Sequence, residues 1–227
     1  MKVRGLVFLC ASVAAAPVAA QVVDDRPVRR VEVDAGGGLI GGAALGARDA
    51  TLRSNAQARE PFRLFTADSR FARARAVHVR TGFAFTRRFG VEGALSVSRP
   101  EIRTSITADA EGAASVTSVE RVDQYLVDVS LLMMVDALRL GGRTIPFVAA
   151  GGGYLRQLHE GHTLIEEGQV YHAGGGLKHW LLTRPNGVVR SAGVRGDVRV
   201  ELFRGGISFD DNPRPHVAVS GSLFVGF

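Results

Sequence analysis

Residues 216–227, with the sequence HVAVSGSLFVGF, alternate strictly between two sets of side chains. Successive side chains of a β-strand point to opposite faces of the sheet. The odd-numbered positions, from Val217 to Phe227, are apolar or glycine, whereas the even-numbered positions include His216 and two serines. The alternation predicts a β-strand with one continuous apolar face.

The segment before it alternates more sharply. Val194, Val198 and Leu202 lie on one face, and every residue between Arg195 and Glu201 that points to the other face is charged. In a soluble sheet the charged face would meet water. In a membrane barrel the charges point into the lumen and the aliphatic face meets lipid.

Six earlier segments show the same period of two. They are residues 31–39, 77–85, 91–98, 124–131, 147–155 and 171–178. Each is close to the nine to eleven residues of a tilted transmembrane strand. Together with the last two segments they predict an all-β fold, an eight-stranded antiparallel up-and-down transmembrane β-barrel.

The connections between these segments alternate in length. The short ones are Thr86–Gly90, Asp136–Arg143 and Arg184–Gly187, and the predicted long loops are Ala43–Ala76, Pro100–Val119, Arg156–Gly168 and Arg204–Pro215. Short turns at one end and long loops at the other are typical of outer-membrane barrels. In the second long loop the alternation continues through Ile102, Thr104 and Ile106, so we expect that hairpin to stand above the bilayer.

Glycine triplets and aromatic residues fit the same fold. Gly36–Gly38, Gly151–Gly153 and Gly174–Gly176 lie inside predicted strands, where a narrow and strongly curved barrel needs small residues. None is completed by the Lys-Ser/Thr pair of a phosphate-binding loop. The candidates for aromatic girdles at the membrane interfaces are Phe83, Phe85, Phe89, Tyr125, Phe147, Tyr154, Tyr171, Trp180, Phe203 and Phe227.

The first twenty residues resemble a targeting segment. Lys2 and Arg4 precede an apolar run, and Val18-Ala19-Ala20 offers small residues for cleavage before Gln21. We therefore expect a signal peptide at residues 1–20 and a barrel domain at residues 21–227. Cleavage would remove the one cysteine and lower the net charge from +6 to +4. Export argues against a nucleic-acid partner, and the basic balance suits anionic lipid headgroups.

Three parts of the sequence support a resemblance to a known family: the signal peptide, the stretch Pro146–Tyr154 and the closing residues Ser222–Phe227. The chain resembles the small outer-membrane barrels grouped with the transmembrane domain of OmpA-like proteins. The resemblance implies a place in the outer membrane of a Gram-negative-type bacterium, among lipids and lipopolysaccharide. It also implies insertion by the barrel-assembly machinery, for which Leu223, Val225 and Phe227 match the terminal signal. It implies no activity.

Charged and polar side chains are concentrated on the predicted lumen face. They are Glu32, Asp34, His78, Arg80, Glu92, Asp128, Lys178, Arg195, Asp197, Arg199, Glu201 and His216. Eight strands leave an interior just wide enough for side chains to fill. We therefore interpret them as a salt-bridged network in a largely closed lumen. A narrow, porin-like passive channel is the alternative, and a soluble lipocalin-like binder would have its apolar faces inward instead.

The sequence predicts no catalytic, metal-binding or cofactor-binding residue. His159, His162 and Glu166 cluster in the third long loop, but no serine lies between Leu155 and Leu182 to act as a nucleophile. The motif His-Glu-Gly-His is one residue short of the zinc-protease spacing. We expect a structural or surface-interaction barrel rather than an enzyme, with a lipid-modifying enzyme as the alternative. The arginine-rich segment Ala43–Ala76 could contact lipopolysaccharide phosphates or another surface partner of acidic character.

Overall fold

The computed structural model describes residues 31–52, 62–107, 116–161, 164–207 and 212–227. The expected signal peptide at residues 1–20 and His162 lie outside these ranges. Within them, no helix is both long and apolar enough to cross a membrane.

The described chain consists almost entirely of strands, which we number in chain order. They are β1 Val31–Ile40, β2 Ala43–Leu52, β3 Phe62–Phe71, β4 Ala74–Ala84, β5 Phe89–Ser98, β6 Glu101–Thr107, β7 Val116–Met134, β8 Thr144–His159, β9 Ile165–Thr183, β10 Ser191–Gly205 and β11 Arg214–Gly226. A short 3-10 turn, Asp136–Leu138, follows β7.

Eight of these strands close a barrel. Their order is β1-β4-β5-β7-β8-β9-β10-β11, and β11 pairs back onto β1, with every pairing antiparallel. Closure aligns Asp34 with Phe224 on one side and with Arg80 on the other. The prediction of an eight-stranded antiparallel barrel is confirmed, and each of the eight predicted segments is one of its strands.

The structure differs from the prediction in the four long loops, because many of the residues predicted to lie in loops are in strands. β2, β3, β6 and the first part of β7 pair in that order into a four-stranded antiparallel sheet beyond the barrel, which we call the distal sheet. The third and fourth loops shrink in the same way, because β8 and β10 continue to His159 and Gly205. Backbone hydrogen bonding continues past the barrel rim, so these connections are extensions of its wall.

The two faces of the barrel have opposite character. Leu223 is 67% exposed and Val77 63% exposed on the outside, whereas Arg80 and Asp197 are buried inside. A soluble lipocalin-like barrel requires the reverse arrangement, so that alternative is wrong for this chain. On β11 the outward apolar face runs ten residue steps from Val217 to Phe227, or about 33 Å along the strand at the usual rise. With a tilt of roughly 40°, this gives an apolar band about 25 Å tall, the height found in membrane barrels.

The outward aromatic residues lie near the ends of this band. Tyr125, Tyr154 and Tyr171 are exposed on the neighbouring strands β7, β8 and β9, toward the distal sheet. The girdle prediction is wrong for Phe147 and Phe203, which are almost completely buried. Both occupy positions that alternate in step with the inward-facing residues of their strands, and their side chains point into the lumen.

The first and third glycines of each triplet face the lumen, where the backbone of a neighbouring strand leaves no room for a side chain. A Cβ atom added to Gly176 would lie 2.1 Å from the carbonyl oxygen of Gly196, and one added to Gly151 would lie 2.1 Å from that of Val129. No side chain fits at such a distance. These positions therefore require glycine for the local curvature of the sheet.

Candidate functional site

The centre of the lumen holds a cluster of ion pairs around Arg195. Its guanidinium contacts the carboxylate of Glu92 and lies 3.2 Å from carboxylate oxygens of both Asp34 and Asp197. All four side chains are buried, and they project inward from β1, β5 and β10. Because each of them occupies an inward-facing position on its strand, residues that are far apart in sequence meet in the lumen.

Two more arginines complete this central cluster. Nη1 of Arg80 donates to Asp197 Oδ2 at 3.0 Å, and its Nη2 donates to Ser220 Oγ at 2.9 Å. Nε of Arg199 donates to Asp197 Oδ1 at 3.1 Å, and its Nη2 donates to Glu92 Oε1 at 3.3 Å. Each carboxylate is thus shared by two or more guanidinium groups, which offsets the cost of burying the charges.

The remaining predicted lumen residues surround the cluster. Lys178 pairs with Glu32 toward the short turns, and His78 Nε2 lies 3.9 Å from Asp34 Oδ1. Asp128 lies 3.2 Å from Nε2 of His172, which the lumen prediction omitted. The parity of His172 matches that of Lys178 on the same strand, so the sequence contained a usable signal for it.

Glu201 and His216 lie nearer the distal sheet. Nδ1 of His216 is 3.0 Å from the carbonyl oxygen of Gly41, and its ring is 4.3 Å from the ring of Phe203. Oε2 of Glu201 is buried and has no hydrogen-bond partner among the residues that the structure describes. It lines a cavity of about 50 Å³ together with His78, which is room for a few water molecules.

Buried apolar side chains lie in the lumen on both sides of the ions. At the distal end, buried side chains from β2, β3, β6, β7 and the β10–β11 connection pack together: Leu45, Phe71, Ile102, Val122 and Ile207. Next inward are Leu126, Leu155, Val170 and Phe203. Toward the short turns lie Leu132, Phe147 and Ala149, with the Arg195 guanidinium 4.5 Å from the Phe147 ring centroid.

Hydrogen bonds hold Ile207, just after β10, against side chains of the barrel strands. The side-chain amide of Gln157 donates to Gln124 Oε1 at 2.7 Å, and its carbonyl accepts the backbone N–H of Ile207 at 2.8 Å. Arg214 donates to the carbonyl oxygen of Ile207 at 2.9 Å. The lumen prediction omitted these residues, because polar positions at a strand end do not show in the sequence which way they point.

Within the part of the chain that the structure describes, Ser130, Asp128 and His172 bring catalytic residue types together in the interior, but not in the geometry of a hydrolytic triad. Ser130 Oγ and Asp128 Oδ1 lie 3.4 and 3.2 Å from the same ring nitrogen, Nε2, of His172. A hydrolytic triad needs the serine and the carboxylate on different ring nitrogens. Among the described residues, no group of three or more His, Cys, Asp or Glu side chains could hold a metal ion.

Outside the barrel, arginines mark the distal edge of the apolar band. Arg75, Arg156 and Arg204 lie on β4, β8 and β10, and Arg99 directly follows β5. Each takes the next outward position after the last outward apolar residue, which is Val77, Tyr154, Leu202 and Val97 in turn. All four arginines are exposed, and Nε of Arg99 donates to Asp123 Oδ1 at 2.7 Å. We call these four residues the arginine rim.

The three residues expected to form the assembly signal lie on β11 and just after it. Leu223 and Phe227 are exposed on the outer face, and Val225 lies between them and is half-buried. The N–H of Phe227 donates to the carbonyl oxygen of Val31 at 2.9 Å, which extends the pairing of β11 with β1.

Comparison with known proteins finds similarity in structure alone. No protein-family profile and no curated protein sequence matches the chain. The outer membrane protein OprG from Pseudomonas aeruginosa is 11% identical, with a TM-score of 0.43 over 87% of this chain and 94% of its own. Ail of Yersinia pestis, solved with the heparin analogue sucrose octasulfate, is 12% identical, with a TM-score of 0.38 over 86% and 99%. The outer membrane protease OmpT from Escherichia coli is 8% identical, with a TM-score of 0.36 over 87% and 97%. Similarities this low assign no activity.

Proposed function

We propose that this chain is a non-conducting barrel of the bacterial outer membrane whose arginine rim binds the phosphate groups of lipopolysaccharide and whose distal sheet faces the surroundings of the cell. The observation that supports it best is the rim itself. On three strands, and directly after a fourth, an exposed arginine takes the first outward position beyond the apolar band.

The depth of the rim suits phosphates. Long connections of outer-membrane barrels lie on the extracellular side, so the rim would meet the headgroup layer of the outer leaflet. Lipopolysaccharide carries phosphates in that layer, and the planar guanidinium binds phosphate through two parallel hydrogen bonds. The apolar stems of the arginines can lie along the lipid-facing wall while their charged ends reach the phosphates.

The interior supports a lumen that does not conduct. A passing ion would have to displace the paired guanidinium and carboxylate groups of Arg80, Arg195 and Asp197, and would then meet the buried apolar layers. In planar bilayers we expect no steady single-channel current. Steady channels would support the narrow-channel alternative and contradict this part of the proposal.

The rim is tested by binding of purified lipopolysaccharide to the folded protein in detergent. The rim variant replaces Arg75, Arg99, Arg156 and Arg204 with glutamine, and we expect about tenfold weaker binding or more. The matched control replaces Arg48, Arg63, Arg70 and Arg103 of the distal sheet with glutamine. It removes the same charge beyond the apolar band, and it should bind lipopolysaccharide nearly as well as the wild-type protein does. Equal losses in both variants would show general charge attraction and would contradict a rim site.

The enzyme alternative has its own check. Lipid A is analysed by mass spectrometry from cells with and without the intact gene. We expect identical lipid A from both, and a reproducible change in its acyl chains or substituents would point to a lipid-modifying activity.

A further inference from the structure

The three short turns at the other end of the barrel share an unusual composition. Residues 85–88, 135–143 and 184–190 together contain six arginines, no lysine and a single acid, Asp136. Each turn contributes two arginines: Arg87 and Arg88, Arg139 and Arg143, Arg184 and Arg190. This end of the described barrel is therefore strongly cationic, although it lies on the side opposite the arginine rim.

The single acid is already shared. Asp136 lies 3.2 Å from Nη2 of Arg139 and 3.7 Å from Nε of Arg88. Arg143, Arg184 and Arg190 are exposed, in the second and third turns. We call these three residues the arginine collar.

The backbone of the collar is held against the barrel wall. The carbonyl oxygen of Arg143 accepts the N–H of Trp180 at 2.9 Å, and the N–H of Arg190 donates to the carbonyl of Gly226 at 2.8 Å. The N–H of Arg184 in turn donates to the carbonyl of Arg190 at 2.8 Å. The collar positions are thus fixed at the boundary of the apolar band, where charged ends can reach a headgroup layer.

Exposed apolar side chains lie among the collar arginines. Val188 is 82% exposed between Arg184 and Arg190, and Leu138 and Leu140 are about 60% exposed in the second turn. Apolar side chains beside cationic ones are typical of segments at a membrane interface, where the former enter the acyl boundary and the latter reach the phosphates. In free solution, exposure of Val188 at this position would contribute no stabilisation.

We propose that the arginine collar binds anionic phospholipid headgroups, enriching lipids such as phosphatidylglycerol over zwitterionic ones around the short-turn end. A zwitterionic headgroup offsets its phosphate with its own cation, whereas an anionic one leaves a net charge for the three guanidinium groups. The site differs from the arginine rim in leaflet and ligand. It depends on the membrane placement of the barrel and not on whether the rim binds lipopolysaccharide.

A tryptophan placed among the collar residues reports on this site. Trp180, the only tryptophan of the sequence, packs its ring against the buried Phe224 on the lumen side, so the reporter protein carries Trp180→Phe together with Val188→Trp, at the exposed position between Arg184 and Arg190. The folded protein is placed in phosphatidylcholine vesicles containing phosphatidylglycerol, with bromine atoms on the chains of one lipid or the other at equal mole fraction. Quenching of the fluorescence of the tryptophan at position 188 by the two brominated lipids then measures the local enrichment of the anionic one.

For the reporter protein with the three collar arginines intact we expect brominated phosphatidylglycerol to quench more, corresponding to about threefold local enrichment. In the variant Arg143→Gln, Arg184→Gln, Arg190→Gln the two lipids should quench equally. A second variant with lysine at the three positions should keep most of the preference, and the glutamine variant of the arginine rim should keep all of it. Gel migration before and after heating verifies that each variant is folded.

Two outcomes would overturn the proposal. One is equal quenching by both lipids in the reporter protein with the three collar arginines intact. The other is loss of the preference on addition of inorganic phosphate but not of chloride at the same ionic strength, because the site would then bind a free anion. The lipopolysaccharide assay of the rim is independent of both, so the two proposals can fail separately.

Discussion

Arg195 is the residue around which the central ion pairs of the lumen are arranged. It is buried, and its guanidinium lies between three carboxylates on three different elements of the cluster: Asp34, Glu92 and Asp197. Removing one partner of a buried ion pair leaves the others uncompensated, which costs more than the pair contributes in isolation.

We therefore expect Arg195→Leu to lower the free energy of unfolding by about 3–5 kcal/mol, because three carboxylates lose their shared cation. Urea unfolding in lipid vesicles, followed by tryptophan fluorescence, measures it. The control is Arg63→Leu on the distal sheet, whose ion pair with Asp49 spans 4.0 Å and is exposed. Its effect should stay within about 1 kcal/mol. An equally small effect of Arg195→Leu would mean that water enters the lumen freely.

For single residues, the sequence predicts which positions share one face of a strand better than it predicts whether that face points into the lumen. The charges between Arg195 and Glu201 identify the inner face of β10 without ambiguity. In β8 both faces are apolar or small, so nothing in the sequence distinguishes Phe147, which points inward, from Val148, which points outward. Only the strand pairing, through the register of Phe147 with Gly176, decides the matter.

Among the elements, β9 and β10 show why the barrel needs glycine at particular positions. Gly176 faces the lumen, with its Cα close to the backbone of β10, whereas Gly196 faces outward, where an added Cβ would meet its nearest atom only at 3.9 Å. The two glycines are nearly level on adjacent strands but differ in face.

We expect Gly176→Ala to reduce the folded fraction sharply, since its Cβ would lie 2.1 Å from the carbonyl oxygen of Gly196. Gly196→Ala should fold as well as the wild-type protein or better, because alanine costs less conformational entropy than glycine. The folded fraction is read from heat-modifiable migration on a gel. Equal folding of both variants would show that β9 is not tightly curved.

The distal sheet depends on its own small core. Leu45 is completely buried against Phe71 and Ile102, at the edge of the barrel mouth. We expect Leu45→Ala to cost about 2–5 kcal/mol, mainly in local opening of β2 and β3. Hydrogen exchange should speed up in those two strands while β1 and β4 keep their protection. Uniform loss of protection across the barrel would show that the sheet and the barrel unfold as one unit.

The alternation that predicts the barrel strands is weaker in the distal sheet. β6 keeps the period through Ile102, Thr104 and Ile106, and its extended form was expected. β2 does not, because its register with β3 shifts between Ala44 and Gly46 and again between Ala50 and Thr51. A bulge inverts the faces on either side of it, so a strict period of two cannot find such a strand.

The whole molecule presents its apolar side chains outward from nearly every barrel strand. Leu131, Leu223 and Val77 each expose more than half of their surface. In water this surface would drive association, whereas in a bilayer it is matched by lipid.

We expect the folded chain to require detergent or lipid. It should insert into vesicles, be extracted only with detergent, and migrate differently on a gel before and after heating. A chain that is monomeric and folded in buffer alone would contradict the membrane placement on which both proposals depend.

At the scale of the molecule, strand number and the inward charges follow from the sequence, but the partners of those charges do not. Arg80 and Asp197 are recognisable as lumen residues from their alternating neighbours. Their 3.0 Å contact depends on how far each strand is displaced along the next around the ring. That displacement is a property of the closed barrel and appears in no single segment.

The central ion cluster also has a consequence for the order of assembly. Asp34 and Arg195 are 161 residues apart, and Glu92 and Arg195 are 103 apart. On an open sheet that lacks β10, Arg80 of β4 is within ion-pair distance of both acids, but Arg195 and Arg199 have not yet joined them. Two carboxylates that share one guanidinium keep a net negative charge, and uncompensated charge opposes entry into lipid. We therefore expect the arrival of Arg195 to couple neutralisation of these acids to completion of the ring, so that insertion follows closure.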